Sequence, residues 1–275
     1  MLYYSNNLKG SINLFEVMQE HDVKNLVFSS SCTVYGNSKS NPVTEKSETC
    51  PVNPYGRTKF YTEQILRDLS ASDKDWHITS LRYFNPIGAH PSGKIGEDPF
   101  GKPNNLLPYI TQTAIGKRRC LNVFGDDYDT TDGTCIRDYI HVVDLAKGHI
   151  SALETLINYG YEVFNLGTGE GYSVLEVINT FEKVTGVKVP YRIVERREGD
   201  AAEVYANPEK AYKNLYWKAE KDLGEMCKDA WNWQVKNPDG FKQLSVDSFL
   251  SDEIEYSSKN EAISTKYTQP ERDKV

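Results

Sequence analysis

The chain has 275 residues, of which 39% are hydrophobic and 26% charged, with a formal net charge of -7. That is the composition of a globular protein with room for one or two domains. The acidic balance argues against nucleic acid as a partner, because phosphate backbones attract basic surfaces.

The opening "MLYYSNNLKGSINLF" lacks the basic start and apolar run of a signal peptide. "SNNLKGSINLFEVMQEHDV" then carries Leu8, Ile12, Phe15 and Met18 at helical spacing. "KNLVFSSS" reads as a buried strand that delivers serines at its C-terminal end. "NPYGRTKFYTEQILRDLSA" predicts a helix with Phe60, Ile65, Leu66 and Leu69 as its apolar positions, and "WHITSLRYFN" the next strand. Helix and strand in alternation predict a parallel sheet with helices on its faces.

From Pro86 the texture changes. "NPIGAHPSGKIGEDPFGKPNN" is rich in glycine and proline, has no periodicity and is too long for an ordinary connection, which marks a functional excursion. Helices follow at "LLPYITQTAIG", "VVDLAKGHISALETLI" and "SVLEVINTFEKVTG", the last opened by a capping box of Ser173 and Glu176. Strands are predicted at "LNVFG", "EVFNLG" and "VPYRIVE", and closing helices at "NPEKAYKNLY" and "GEMCKDAWNWQVKN". Residues 242–275 form a polar tail, expected to be disordered. No run of about 18 apolar residues exists, so no membrane span is expected. The five cysteines, Cys32, Cys50, Cys120, Cys135 and Cys227, form no CxxC pair and read as free thiols of a reducing cytoplasm.

Two segments place a tyrosine four residues before a lysine: Tyr35/Lys39 in "YGNSK" and Tyr55/Lys59 in "PYGRTK". On a helix such a pair projects side by side. An ammonium beside a phenol favours the phenolate and makes a general base. "YGNSKSNP" is turn chemistry, whereas "PYGRTKFYTEQIL" supplies a helix that Pro54 opens. Tyr55/Lys59 is therefore the candidate pair. With 18 tyrosines in the chain, the spacing alone is weak evidence. Its context is stronger, because Ser31 ends the strand just upstream, where a doubly wound sheet faces its ligand crevice.

"VFSSSCTVYG", "NPYGRTK", "RYFNPIGAHPSGKIGEDPFGKPNNLLPYI", "FGDDYDTTDGTCIRDYIHVVDLAKGH", "NLGTGEGYSVLEV" and "RREGD" together resemble the UDP-glucose 4-epimerases, of the extended short-chain dehydrogenase/reductase family. The likeness runs from about Leu2 to Phe241. It implies an α/β fold: a partial doubly wound, Rossmann-like parallel sheet plus a smaller α/β substrate-binding domain. Residues 1–85 would be the C-terminal half of an NAD-binding domain and 86–241 the substrate-binding region, with elements over about 122–167 returning to the first domain. The cofactor implied is NAD. The partners implied are UDP-glucose and UDP-galactose, with a homodimer as the assembly and the cytoplasm as the location.

By the same resemblance, Ser31, Tyr55 and Lys59 are the catalytic triad. Tyr55 takes the proton of the sugar 4-hydroxyl while hydride passes to the nicotinamide; the 4-keto sugar turns over, and both return on the opposite face. Asn6, Ser29, Tyr83 and Phe84 would sit on the cofactor side with Tyr55 and Lys59. Asn85, Asn105, Leu106, Asn122, Val123 and Phe124 resemble nucleotide-sugar contacts. Arg137, Arg197 and Asp200 match the residues that hold diphosphate and ribose, and a guanidinium fork suits phosphate oxygens. Val204 would line the sugar pocket, where its small size leaves room for a 2-N-acetyl group.

Other signals are set aside. "GTGEG" has GxGxG spacing and reads as a tight turn into a capped helix rather than a dinucleotide loop. "DDYDTTDG" fails the acidic spacing of an EF-hand, and the five histidines are dispersed, so no metal site is expected. The chain also departs from the family. Nothing before Met1 supplies the first strand, the glycine-rich phosphate turn and the acid-ended strand, so the 275 residues alone are expected not to epimerise. Two alternatives are a non-catalytic UDP-sugar-binding remnant and a nucleotide-sugar dehydratase or decarboxylase. The second needs carboxylates after the triad serine, where this chain reads Ser31-Cys32-Thr33-Val34.

Overall fold

The computed structural model describes residues 1–38 and 40–241, and the account below concerns the unit Met1–Pro238. Lys39 and the polar tail over 242–275 lie outside the described residues.

The chain enters through a wide helical turn at Tyr4–Lys9 that runs on into α1, Gly10–Glu20. Of the predicted stripe, Phe15 and Met18 are buried against Leu66, Trp76 and Ile78, Leu8 is half-buried and Ile12 is exposed, as are Leu14 and Val17 outside it. The stripe is thus covered on one flank only.

β1 (Asn25–Ser29), α2 (Pro54–Ser72) and β2 (His77–Tyr83) follow as expected. β1 is half-buried rather than buried, because among the described residues it pairs with β2 alone. α2 starts where Asn53 Oδ1 accepts from the Gly56 amide at 2.8 Å, with Pro54 in the first turn. Gly56 is required rather than merely tolerated. A Cβ there would stand 2.7 Å from the Thr33 carbonyl, so its absence lets the helix start press onto the loop after β1.

The proline-glycine excursion holds one regular piece, β3 (Asn85–Ile87), and leads into α3 (Leu106–Ala114). Next come β4 (Leu121–Phe124), β5 (Ile136–Arg137), β6 (Tyr139–His141), α4 (Val142–Thr155), β7 (Tyr161–Leu166) and β8 (Tyr172–Ser173). α5 (Val174–Thr185), β9 (Tyr191–Val194), β10 (Glu203–Val204), α6 (Glu209–Leu215) and α7 (Leu223–Lys236) close the unit. The predicted capping box of α5 is present: Ser173 Oγ accepts from the Glu176 amide at 3.0 Å, and Glu176 Oε2 accepts from the Ser173 amide at 2.7 Å.

The main sheet is parallel, in the order β1-β2-β7, with Arg82 of β2 opposite Asn165 of β7. Central β2 buries Ile78 and Leu81 completely. α4 and α6 pack on this sheet through Leu145, Ala152, Ala211 and Leu215, and Phe15, Met18 and Leu66 form a further core with Ile78. A separate core joins α3, α5 and α7 with β4 and β6 through Ile110, Val123, Phe181 and Met226. β3 pairs in parallel with β6, β4 with β9, and β10 with β5. The ends of β1, β2, β3 and β4 thereby converge on one cleft. No helix among the described residues is long and apolar enough to cross a membrane.

Candidate active site

The cleft has a volume of about 820 Å³, within the range of small-ligand sites. Ser31 stands at its base, just past the end of β1, and Tyr55 comes from the first turn of α2. Tyr83 and Phe84 come from the end of β2. Asn85, Asn105, Leu106, Asn122, Val123, Phe124, Arg137, Arg197 and Asp200 complete the lining among the residues named from sequence. Thirteen of those candidates therefore meet in one place, from seven separate segments.

The remaining ones lie elsewhere. Asn6 is exposed and bonds the side chain of Asn7, whose amide in turn reaches Thr58 Oγ1 at 3.2 Å. Ser29 and Lys59 stand behind Tyr55: Lys59 Nζ donates to the Ser29 carbonyl at 2.9 Å, and Ser29 Oγ meets His149 Nε2 at 3.2 Å. Val204 is buried with Val34, Tyr35, Val43, Phe84 and Ala206, behind the cleft wall. Phe84 of that cluster lines the cleft, so Val204 stands one residue behind its surface.

Burial pushes the Tyr55 phenol above its ordinary value, and a hydrogen bond with Ser31 pulls against that. Ser31 Oγ also accepts from the Thr33 amide at 3.2 Å, capping the turn Cys32–Tyr35. The Lys59 ammonium lies 5.7 Å from the Tyr55 ring centroid, beside the ring, and burial lowers its own pKa. Desolvation is the largest influence on the Tyr55 phenol.

The other tyrosine of the twin motifs is a core residue. Tyr35 is 1% exposed, and its hydroxyl donates to Asn165 Oδ1 at 2.6 Å. Tyr35→Phe is expected to cost about 1 kcal/mol of stability, from the acceptor left unpaired, with no effect on the chemistry of the cleft. Denaturant unfolding and an activity assay measure the two separately.

Charge in the cleft is unbalanced. Lys102, Arg137 and Arg197 face it against the carboxylate of Asp200. Arg137 Nη2 lies 3.6 Å from Asp200 Oδ1, and the Arg197 guanidinium stacks 4.0 Å above the centroid of Phe124. The surplus of two positive charges matches a diphosphate. Lys102 was not singled out from sequence, since its loop has no periodic signal.

The glycine turn 167–171 is filled by the protein itself. The Thr168 and Gly169 amides donate to the Asp138 carboxylate at 2.9 and 3.0 Å, joined by Thr168 Oγ1 at 2.7 Å and the Ala206 amide at 3.1 Å. Burial raises the pKa of Asp138 against those bonds. A cradle so occupied has no vacancy for a pyrophosphate, in keeping with its reading as a turn.

The family model for the NAD dependent epimerase/dehydratase family matches residues 2–167. The chain belongs to this family. It is 59% identical over 242 residues to the UDP-glucose 4-epimerase of Bos taurus, covering 87% of this chain and 69% of the bovine protein. The UDP-glucose 4-epimerase of Bifidobacterium longum, solved in complex with NAD+ and UDP, superposes with a TM-score of 0.84 at 54% identity, covering 86% of this chain and 71% of that one. The enzyme from Stenotrophomonas maltophila, solved with NAD and formylated UDP-arabinopyranose, gives 0.84 at 53% identity with the same coverage.

The family is NAD-dependent, and the donors beside Tyr55 fit that cofactor. Tyr55 hydroxyl, Lys59 ammonium and Ser29 hydroxyl cluster at the end of β1, and the flat rings of Tyr83 and Phe84 line the cleft beside them. These suit the nicotinamide-ribose end of NAD.

Proposed function

We propose, against the expectation that the 275 residues alone do not epimerise, that this epimerase-family chain interconverts UDP-glucose and UDP-galactose. The observation that carries the reading is one cleft holding both a Ser31–Tyr55 pair and a surplus of two positive charges at Arg137, Arg197 and Lys102 against Asp200. Arg137 and Arg197 bind the diphosphate. Asn85, Asn105 and Asn122 offer hydrogen bonds to sugar or nucleotide. Tyr55 holds and moves the proton of the sugar 4-hydroxyl, and Ser31 bonds the same oxygen. Lys59, Ser29, Tyr83 and Phe84 are the residues that would hold NAD, which when bound accepts and returns the hydride of the same carbon.

The related reading as a dehydratase or decarboxylase is not favoured, since Ser31 to Val34 offers no carboxylate for elimination. The assignment of NAD contacts to residues 1–85 and substrate contacts to 86–241 belongs to the proposal, as does a cytoplasmic location, supported by five cysteines that are all free. A homodimer is included too, supported by the exposed apolar side chains Leu14, Val17 and Tyr61 on α1 and α2.

The test is calorimetric titration with UDP, then assay of UDP-galactose conversion with NAD supplied. Arg137→Ala and Arg197→Ala are each expected to weaken UDP-sugar binding by about 2–4 kcal/mol, because diphosphate charge is left unpaired in a partly desolvated site. Unchanged affinity in both variants would remove the arginines from the site and the reading with them.

A further inference from the structure

Tyr55, Lys59 and Glu63 recur every four residues along α2 and so share one face of it. The run Ser29-Ser30-Ser31 meets them one for one. The Ser29 carbonyl accepts from Lys59 Nζ at 2.9 Å, Ser30 Oγ donates to Glu63 Oε1 at 2.5 Å, and Ser31 lines the cleft with Tyr55. Glu63 is fully buried and Arg82 is 3% exposed. Arg82, on the central strand β2, clamps the Glu63 carboxylate with Nε on Oε1 at 2.9 Å and Nη2 on Oε2 at 2.5 Å. The ring of Tyr35 covers the guanidinium at 4.8 Å.

A buried ion pair seldom adds net stability over an apolar pair of the same volume, because both charges lose their hydration. What it does supply is geometry. Both carboxylate oxygens are committed, so Glu63 has one position relative to the sheet. Ser30 then ties that position to the end of β1, and Ser31, extended at φ -159° and ψ 149°, projects on the opposite side toward the cleft.

We propose that Glu63, clamped by Arg82, is a positioning residue of the reaction: through Ser30 it sets the spacing between α2 and the end of β1, and so keeps the Ser31 hydroxyl on the oxygen of Tyr55. The proposal rests on Tyr55 being the proton-transfer group. The groups that face Tyr55 are Lys59 on its own helix, Tyr83 from β2, Cys32 from the turn after β1 and Tyr3 from the chain start.

The decisive variant is Ser30→Ala, which leaves the Glu63–Arg82 pair intact. Protein is made with fluorotyrosine, whose phenol ionises at lower pH, and the Tyr55 fluorine resonance is assigned by its absence in Tyr55→Phe. Ser31→Ala should raise the Tyr55 titration midpoint by about one pH unit, since a bond to the phenolate is lost. Ser30→Ala should reproduce most of that rise, and Ser30→Thr, which restores a hydroxyl, should reverse it. With UDP-galactose and NAD, kcat of Ser30→Ala should fall about tenfold at unchanged KM. An unchanged midpoint in Ser30→Ala beside a raised one in Ser31→Ala would overturn the proposal, and so would a midpoint insensitive to Ser31→Ala. The titration needs no substrate, so failure of the functional reading would appear separately, as wild-type protein without turnover.

Discussion

Tyr55→Phe is expected to lower epimerisation by about a thousandfold while leaving the affinity for UDP within about twofold of wild type. The argument is one of place and of state. Tyr55 lines the cleft with Ser31 and carries no positive charge, so the diphosphate is held by Arg137 and Arg197 without it. Burial keeps the resting phenol protonated. Its work as a base belongs to the complex with substrate and cofactor, where the proton of the sugar hydroxyl lies beside it. Phenylalanine keeps the ring and loses the one atom that carries a proton, so the loss should fall on kcat. Steady-state assay of UDP-galactose conversion, with calorimetric UDP binding in parallel, separates the two parameters. A matching loss of UDP affinity would mean that Tyr55 holds the nucleotide and that its assigned role is wrong.

Arg82→Met is expected to destabilise the fold by about 3–5 kcal/mol, because it leaves the fully buried carboxylate of Glu63 without its cation. The double variant Arg82→Met/Glu63→Leu should recover most of that stability, since no charge remains to be hydrated. It should not recover activity, because Ser30 then has no acceptor at 2.5 Å on α2. Urea unfolding of the single and double variants gives the coupling directly. Equal destabilisation by both would show that the pair acts through packing rather than charge.

How far these residues could be read beforehand depends on the range of the signal. α2 and its Tyr55/Lys59 pair were legible because a 19-residue helix has many turns over which apolar spacing and a proline at the start agree. The α5 capping box was legible because it is a local motif. The short strands β3, β5, β6, β8 and β10 were not. Two or three residues carry no periodicity, and their existence depends on partners far along the chain, as when Asn85–Ile87 lies against Tyr139–His141. The need for glycine at position 56 was not legible either, because nothing local shows that Thr33 comes within reach of it. Glu63 did leave a trace: it continues the four-residue recurrence of Tyr55 and Lys59 by one more step, opposite a run of three serines. Val204 was placed by analogy of position alone, because its packing against Val34, Tyr35 and Val43 depends on segments far from it in the chain.

The glycine turn that encloses Asp138 has a consequence for how the molecule treats its ligands. Clustered amide donors attract whatever anion fits, and inorganic phosphate is abundant wherever nucleotides are used. By supplying its own carboxylate to that ring of donors, the chain has pre-empted the visitor. The guest's negative charge is left to be sorted by the arginines of the cleft, where a nucleotide is read together with its sugar. Tethering the anion also welds two distant stretches, the strand end carrying Arg137 and the turn leading into α5, so that the arginine's neighbourhood is braced before any ligand arrives. Selectivity is served here by a seat already taken.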